Sequence, residues 1–252
     1  MINPLRPETL RLLEQDTKDE KATTIIRNRP IAKNLYPIRA SLGLSPIDSL
    51  LYAPITLIVE GPTESLCLHP LLIRLKEGGI KGFHEIDQLL ELCHFISGEG
   101  DSFAYWCQLA ESQRSKAIVF LDGDKRRKSQ TKKIEEHHPD VPIVFLDEEK
   151  EFEDLVPRDE YFKALAEISG EPMSYDAFSD WIQLVSLPAK MMFSKRVERW
   201  LETEFPDVDY DKVAVMRKAI ELTNPKDIQV EPLQRLVVEI TKLREQLVSL
   251  TS

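Results

Sequence analysis

The chain has little that would place it in a membrane or in an oxidising compartment. Its longest apolar runs, such as ITLIV and AIVFL, are far shorter than the ~20 residues that a helix needs to cross a bilayer. No charged and apolar leader opens the chain, so we do not expect a secretory signal. Only three cysteines occur, without CxxC spacing, and we expect free thiols in a cytoplasmic protein at Cys67, Cys93 and Cys107.

The formal net charge of −10 argues against a protein that binds nucleic acid through overall positive charge. It does not exclude a nuclease, because carboxylates that bind metal ions concentrate several negative charges in one place. A basic run directly follows the acidic residues 122–124 and comprises Lys125, Arg126, Arg127 and Lys128. Such a run is usually a solvated helix face. Its position beside acidic residues favours contacts with nucleic-acid phosphates.

Between residues 55 and 146, short apolar segments alternate with helical ones. The predicted strands are 55–59, 92–96, 116–121 and 141–146. The predicted helices between them are 64–76, with Thr63 as its N-cap, 103–112 and 126–138. This alternation predicts a parallel sheet with right-handed crossovers, and therefore an α/β fold.

The two ends of the chain have different patterns. Residues 1–50 predict one strand at 23–30, without an evident partner strand, and short helices at 35–44 and 47–52. Beyond residue 157 the pattern is helical, with predicted helices at 158–168, 174–184, 190–204, 209–222 and 231–250. We expect the apolar stripe of the last helix to pack within the chain, because sustained heptads are absent.

Three acidic pairs stand at or just beyond the ends of three predicted strands: Glu60 and Glu64, Asp122 and Asp124, and Glu151 and Glu153. Because ligands bind at the carboxyl ends of parallel strands, we expect these side chains to gather at one edge of the sheet. Such a cluster is unfavourable unless a cation neutralises it. Six carboxylates can hold two divalent ions roughly 4 Å apart, and oxygen ligands favour Mg²⁺ or Mn²⁺. The pattern predicts metal-dependent phosphodiester hydrolysis, with Glu60 also a candidate catalytic residue.

A lysine beside such a site could polarise the scissile phosphate or act as a general base. The first candidate is Lys190 and the second is Lys195, both in the segment LPAKMMFSKRVERWL. The alternative for either residue is an ordinary surface lysine of a helix.

The ordered motifs EGPTE, DGD and EFE resemble those of a Toprim domain. More narrowly, IRASLGLSPIDSLLYAPITLIVEGPTE and SGEGDSFAYW resemble the C-terminal nuclease region of the OLD (overcoming lysogenization defect) family. The resemblance covers about residues 36–200. It implies a Toprim-like, Rossmann-type parallel sheet flanked by helices, with a C-terminal helical extension. It also implies a metal-dependent DNA endonuclease or nickase with two Mg²⁺ or Mn²⁺ ions, in defence against phage or in DNA processing.

Members of that family carry an ABC-type ATPase before the Toprim domain, yet this sequence has no GxxxxGK(S/T) motif. The resemblance therefore implies that 1–50 is the tail of an ATPase head or a linker, 51–157 the Toprim core, and 158–252 a helical extension carrying the candidate lysine. We expect an ATPase as a fused domain or a separate subunit, with homo-oligomers forming through it.

Other functions remain open at this stage. A Toprim nuclease could process RNA, because a phosphodiester site does not choose the sugar. A Toprim-like module without activity could serve assembly alone, although six acidic residues argue against this. A phosphatase that uses VFLDGD as its nucleophile loop is disfavoured, since Lys125 and Arg126 follow the motif and about 120 residues precede it.

Overall fold

The computed structural model describes residues 12–16, 23–27, 53–98, 102–112, 115–123, 128–188 and 191–249. The chain divides into two compact units, Met1–Ala53 and Pro54–Ser252. In the first unit, strands β1 (Leu12–Asp16) and β2 (Thr23–Arg27) form an antiparallel pair, in which Leu12 pairs with Arg27. The predicted strand is thus present, but the expectation that it lacks a partner strand is wrong. The helices predicted at 35–44 and 47–52 lie outside the described residues.

The second unit contains a parallel sheet of four strands in the order β4-β3-β5-β6. Its strands are β3 (Ile55–Val59), β4 (Cys93–Ser97), β5 (Lys116–Leu121) and β6 (Ile143–Phe145). Between β3 and β4 the chain forms helices α1 (Pro62–Glu77) and α2 (Ile86–Leu90). Helix α3 (Phe103–Ser112) connects β4 to β5, and α4 (Lys128–His137) connects β5 to β6.

Helices dominate the chain beyond β6. A 3₁₀ turn at Phe152–Leu155 comes first. It is followed by α5 (Arg158–Ser169), α6 (Tyr175–Leu184), α7 (Phe193–Glu204), α8 (Lys212–Leu222) and α9 (Glu231–Ser249). A second 3₁₀ turn, Pro225–Asp227, links the last two helices. The predicted α/β class, with a parallel sheet flanked by helices and a helical C-terminal part, is confirmed.

Both faces of the sheet are covered because the strands are apolar on both sides. Leu57 and Phe120 face a large core that they share with α1 and the C-terminal helices. Ile58 and Val119 face a smaller core with α3 and α4. The C-terminal helices therefore belong to the main core of the second unit.

Helix α9 packs against the sheet through its apolar stripe, as expected. Its buried residues are Pro232, Leu233, Leu236, Val237, Ile240 and Leu243. Within the described residues, no helix combines the length and the apolarity needed to cross a membrane.

Several element ends differ from the sequence-based predictions for local reasons. Helix α1 starts two residues earlier than expected, with Gly61 rather than Thr63 at the N-cap and Pro62 in its first turn. Strand β6 spans only 143–145, because Pro142 cannot donate to a neighbouring strand. Helix α7 begins at Phe193, so residue 190 precedes it.

Candidate active site

The carboxyl edge of the sheet brings the acidic segments together. Strands β3 and β5 are neighbours, with Val59 paired to Phe120, so Glu60 and Asp122 follow the ends of adjacent strands. The 3₁₀ turn after β6 is anchored by Phe152, which is completely buried. This anchor turns Glu153, also completely buried, towards the interior.

Gly123 joins the end of β5 to the segment before the 3₁₀ turn. Its backbone N–H donates to the Lys150 carbonyl oxygen at 2.8 Å, and its carbonyl oxygen accepts from the Glu149 N–H at 3.1 Å. A Cβ atom at this position would overlap the carbonyl oxygen of Asp147. Only glycine therefore lets these two acid-bearing segments approach so closely.

Four carboxylates interact electrostatically at this edge. The pKa of Glu153 is raised to about 7, chiefly by burial, and the charges of Glu151 and Glu64 contribute in the same direction. Burial raises the pKa of Asp122 well above its ordinary value, with the charges of Glu64, Glu153 and Glu151 acting in the same direction. The pKa of Glu64 is also raised, chiefly by burial. Glu64, Asp122, Glu151 and Glu153 therefore form a single electrostatic cluster. It contains at least one acid of each of the three predicted pairs.

A lysine that the sequence did not single out enters this cluster. The ammonium nitrogen of Lys212 lies 2.9 Å from Glu153 Oε1, and Lys212 is the first residue of α8. Its charge lowers the pKa of Glu153, Glu64 and Asp122, while the acids raise the pKa of Lys212 itself. In the sequence, Lys212 is a lysine immediately before the apolar pattern of α8. Lysines at such positions are too common for this one to be identified as a site residue.

Two of the acids also serve as helix caps. Glu64 Oε2 accepts a hydrogen bond from the Gly61 N–H at 2.9 Å, at the start of its own helix α1. Glu151 accepts from the Ser194 N–H at 2.8 Å and from the Ser194 hydroxyl at 2.7 Å, in the first turn of α7. Because helix N-termini carry partial positive charge, α1 and α7 both help to stabilise the acidic cluster.

The other residues predicted for the site have different positions. Lys195 is 69% exposed, and its ammonium pairs with Glu198 at 2.5 Å. Glu60 is half-buried directly after β3, and its charge is not among the main causes of the pKa shifts above. Outside the described residues lie Lys190, Asp124, Lys125, Arg126 and Arg127. Lys128 is described only as the first residue of α4.

The donor set suits a hard divalent cation in its chemistry. All four acids are carboxylates, and Glu153 Oε2 is buried without a hydrogen-bond partner in the described structure. A cation would relieve the mutual repulsion that, after burial, raises the pKa of Glu64, Asp122 and Glu153. Among the residues with described positions, however, no three carboxylates lie close enough to hold one ion. Cation binding would therefore require the acids to close around the ion.

Comparison with known proteins gives one structural likeness. No protein-family model matches the sequence, and no curated protein matches it. A solved structure, the C-terminal region of the Burkholderia pseudomallei OLD protein, is similar with 14% sequence identity and a TM-score of 0.46. The match covers 77% of this chain and 98% of that one.

Proposed function

We propose that the protein is a divalent-metal-dependent phosphodiester hydrolase that cuts or nicks DNA. The observation that supports this most is the convergence of Glu64, Asp122, Glu151 and Glu153 at the carboxyl edge of the sheet, with raised pKa values for three of them. A purely structural edge would not require buried acids that repel one another. Perturbed acids clustered in this way are typical of sites that do chemistry.

In this proposal the four described acids, with Glu60 and Asp124, bind Mg²⁺ or Mn²⁺ ions. Two such ions would supply an activated water and stabilise the leaving oxygen of the phosphodiester. The carboxylates of Glu64 and Glu151 accept hydrogen bonds at the N-termini of α1 and α7, which hold them in place. Gly123 keeps Asp122 beside the 3₁₀ turn that carries Glu151 and Glu153.

Among the lysines whose positions are described, Lys212 is the best placed to act on the substrate. Its side chain is one-third exposed, so the ammonium can reach a phosphate from the rim of the cluster, while it remains paired with Glu153 in the absence of substrate. We assign it, ahead of Lys190 and Lys195, the role of holding the negative charge of the scissile phosphate. Its raised pKa keeps it protonated at neutral pH, so it acts as a cation and not as a general base.

The wider role follows from the sequence resemblance and is part of the same proposal. We propose DNA as the substrate, with phosphate contacts from the basic run of residues 125–128. We also propose action with an ABC-type ATPase, fused or separate, in defence against phage or in DNA processing.

A plasmid assay tests the proposed activity. Supercoiled DNA is incubated with the protein and Mn²⁺, Mg²⁺, Ca²⁺ or EDTA, and a single-stranded RNA is treated in parallel. We expect nicking of DNA with Mn²⁺ or Mg²⁺ and none with EDTA. Asp122→Ala should abolish it, while Asp140→Ala, a change of an exposed acid in a loop, should not. Absence of metal-dependent cleavage, or equal cleavage by Asp122→Ala, would refute the proposal, and cleavage of RNA alone would reassign the substrate.

A further inference from the structure

Helix α7 cannot cap its own first turn. The residue at its N-cap is Met192, whose side chain makes no capping hydrogen bond. The first N–H groups of a helix need acceptors from elsewhere. Glu151, 43 residues earlier in the chain, provides them by accepting from both the N–H and the hydroxyl of Ser194. Each oxygen of the Glu151 carboxylate therefore receives one hydrogen bond from the same residue.

A second set of contacts holds the same two segments together. Asp154 Oδ2 accepts from the Glu151 N–H at 2.8 Å and so fixes the start of the 3₁₀ turn. Arg158 binds Asp154, and its guanidinium carbon lies 3.2 Å from the centre of the Phe193 ring, at the first residue of α7. The acid-bearing turn and the start of α7 are thus joined at two points.

This arrangement leaves Glu151 able to bind a cation. An ionised carboxylate has about four lone-pair sites, and Ser194 uses one site on each oxygen. The backbone bond from the Gly123 N–H to the Lys150 carbonyl oxygen, at 2.8 Å, joins the residue after Asp122 to the residue before Glu151. The charge of Glu151 acts in the same place, since it raises the pKa of Asp122 and of Glu153. The Ser194 hydroxyl therefore decides in which direction the remaining lone pairs of Glu151 point.

We propose that Ser194 is a positioning residue for cation binding, and that an ion held by Glu151 also stabilises the first turn of α7. This inference rests on the proposed function, because it assumes that the acidic cluster binds Mn²⁺ or Mg²⁺. The ion and the helix share one carboxylate. A cation that orders Glu151 therefore orders its hydrogen bonds to Ser194, and loss of the hydroxyl loosens the ligand.

Calorimetric titration with Mn²⁺ tests the positioning role. Ser194→Ala keeps the N–H bond but loses the hydroxyl bond, and we expect Mn²⁺ affinity to fall by roughly 10–100-fold, as is typical when a hydrogen bond to a metal ligand is removed. Ser194→Thr keeps a hydroxyl and should restore most of the affinity. Thr203→Val is the matched control, because the Thr203 hydroxyl bonds only its own helix, to the Arg199 carbonyl oxygen at the other end of α7.

Hydrogen exchange of the wild-type protein provides a measurement that needs no variant to fold. Adding Mn²⁺ should slow exchange of the amides of residues 193–197 more than it slows exchange in the middle of α9. Unchanged protection in α7 on Mn²⁺ binding would overturn the inference.

The outcomes separate the inference from the proposed function. If the wild-type protein binds no Mn²⁺, the proposed function fails and the inference fails with it. If the wild-type protein binds Mn²⁺ and Ser194→Ala binds it equally well, the inference alone is overturned. If Ser194→Thr binds as weakly as Ser194→Ala, the hydroxyl is not what positions Glu151, and the inference is likewise overturned.

Discussion

Lys212 and Glu153 form an ion pair at 2.9 Å in which the Glu153 side chain is completely buried and the Lys212 side chain is one-third exposed. The lysine therefore lies between the acidic cluster and solvent. A buried carboxylate that loses its partner retains an uncompensated charge or takes up a proton. Lys212 thus determines how much negative charge the cluster holds when no metal is bound.

Replacing this lysine should separate its electrostatic role from its catalytic one. We expect Lys212→Met to destabilise the metal-free protein by about 2 kcal/mol, below the ~3–5 kcal/mol typical of a fully buried pair, because Lys212 is partly exposed. The same change should tighten Mn²⁺ binding, since one positive charge is removed beside the ions, and should abolish nicking. Urea unfolding, calorimetry and the plasmid assay measure the three effects.

Lys218→Met serves as its control, because Lys218 is on the same helix and pairs with Glu167 at the surface. This control should leave all three measurements nearly unchanged. Mn²⁺ binding that weakens in Lys212→Met would contradict the assigned role.

The stability of the metal-free protein should fall as pH rises from about 5 to 8. The pKa of Glu153 is raised from 4.5 to about 7 in the folded protein, so the folded state binds more protons than the unfolded state in this range. Its contribution is fully present below pH ~4.5 and is lost as the pH passes through the folded pKa, a change of roughly 3 kcal/mol. The raised pKa values of Glu64 and Asp122 act in the same direction.

Urea unfolding at several pH values in EDTA measures this dependence. Glu153→Gln should flatten most of the slope, whereas Glu204→Gln, at an exposed position in α7, should not. Saturating Mn²⁺ should raise stability most at the alkaline end. An increase of stability from pH 5 to 8 without metal would show that the cluster is not strained by its own charge.

Gly123→Ala should damage the site more than the fold. The added Cβ overlaps the Asp147 carbonyl oxygen, so the backbone must shift, at a cost of about 1–3 kcal/mol. The shift moves Asp122 away from the turn that carries Glu151 and Glu153, and we expect Mn²⁺ binding and nicking to be lost. Calorimetry and thermal unfolding measure the two effects.

Gly170→Ala is the control for Gly123→Ala. A Cβ atom at position 170 would meet no described atom within 4 Å, but the backbone there is left-handed with φ of 74°, so the variant should lose about 1 kcal/mol of stability through local strain alone. Its Mn²⁺ binding should equal that of the wild type. A Gly123→Ala protein with normal Mn²⁺ binding would show that close approach at this glycine is not required.

Neutralising the basic run should change how DNA binding depends on salt. Replacing Lys125, Arg126, Arg127 and Lys128 with Gln should weaken binding and lower the slope of log K against log salt by about 0.9 for each phosphate that the protein no longer neutralises. Binding is measured with Ca²⁺ in place of Mn²⁺. The comparison is Lys163→Gln with Lys218→Gln, an exposed and a half-buried lysine that pair with Glu160 and Glu167. An unaltered slope would mean that the run is ordinary solvated surface.

The sequence predicts the sheet well because its strands are short apolar runs bounded by turns. Ile55–Val59 and Lys116–Leu121 are found at the predicted residues. Both strands are buried on two faces of the sheet, so each is a continuous apolar run with clear ends. Strand β1 is not predicted, because LLEQD shows neither a continuous apolar run nor alternation. Its identity as a strand comes from pairing with Thr23–Arg27, which local sequence does not reveal.

The sequence predicts the site only in part, because some of its contacts depend on how distant segments pack. Acids at strand ends are visible in the sequence because topology brings strand ends together. Lys212 is not predicted, because its role depends on where α8 packs and nothing near it in sequence distinguishes it from other helix lysines. The cap that Glu151 provides for Ser194 is not predicted either. The N-cap residue Met192 and the first helical residue Phe193 give no capping signal in the sequence.

Strand β6 forms one edge of the sheet and has consequences for how the molecule can associate. The Val119 N–H bonds the Pro142 carbonyl and the Leu146 N–H bonds the Leu121 carbonyl, so the Phe145 carbonyl oxygen points away from β5. The Arg235 guanidinium of α9 donates to that oxygen at 2.9 Å. A three-residue edge with one of its outward acceptors already occupied is a poor template for another strand. Continuation of the sheet into a second chain at this edge is therefore disfavoured.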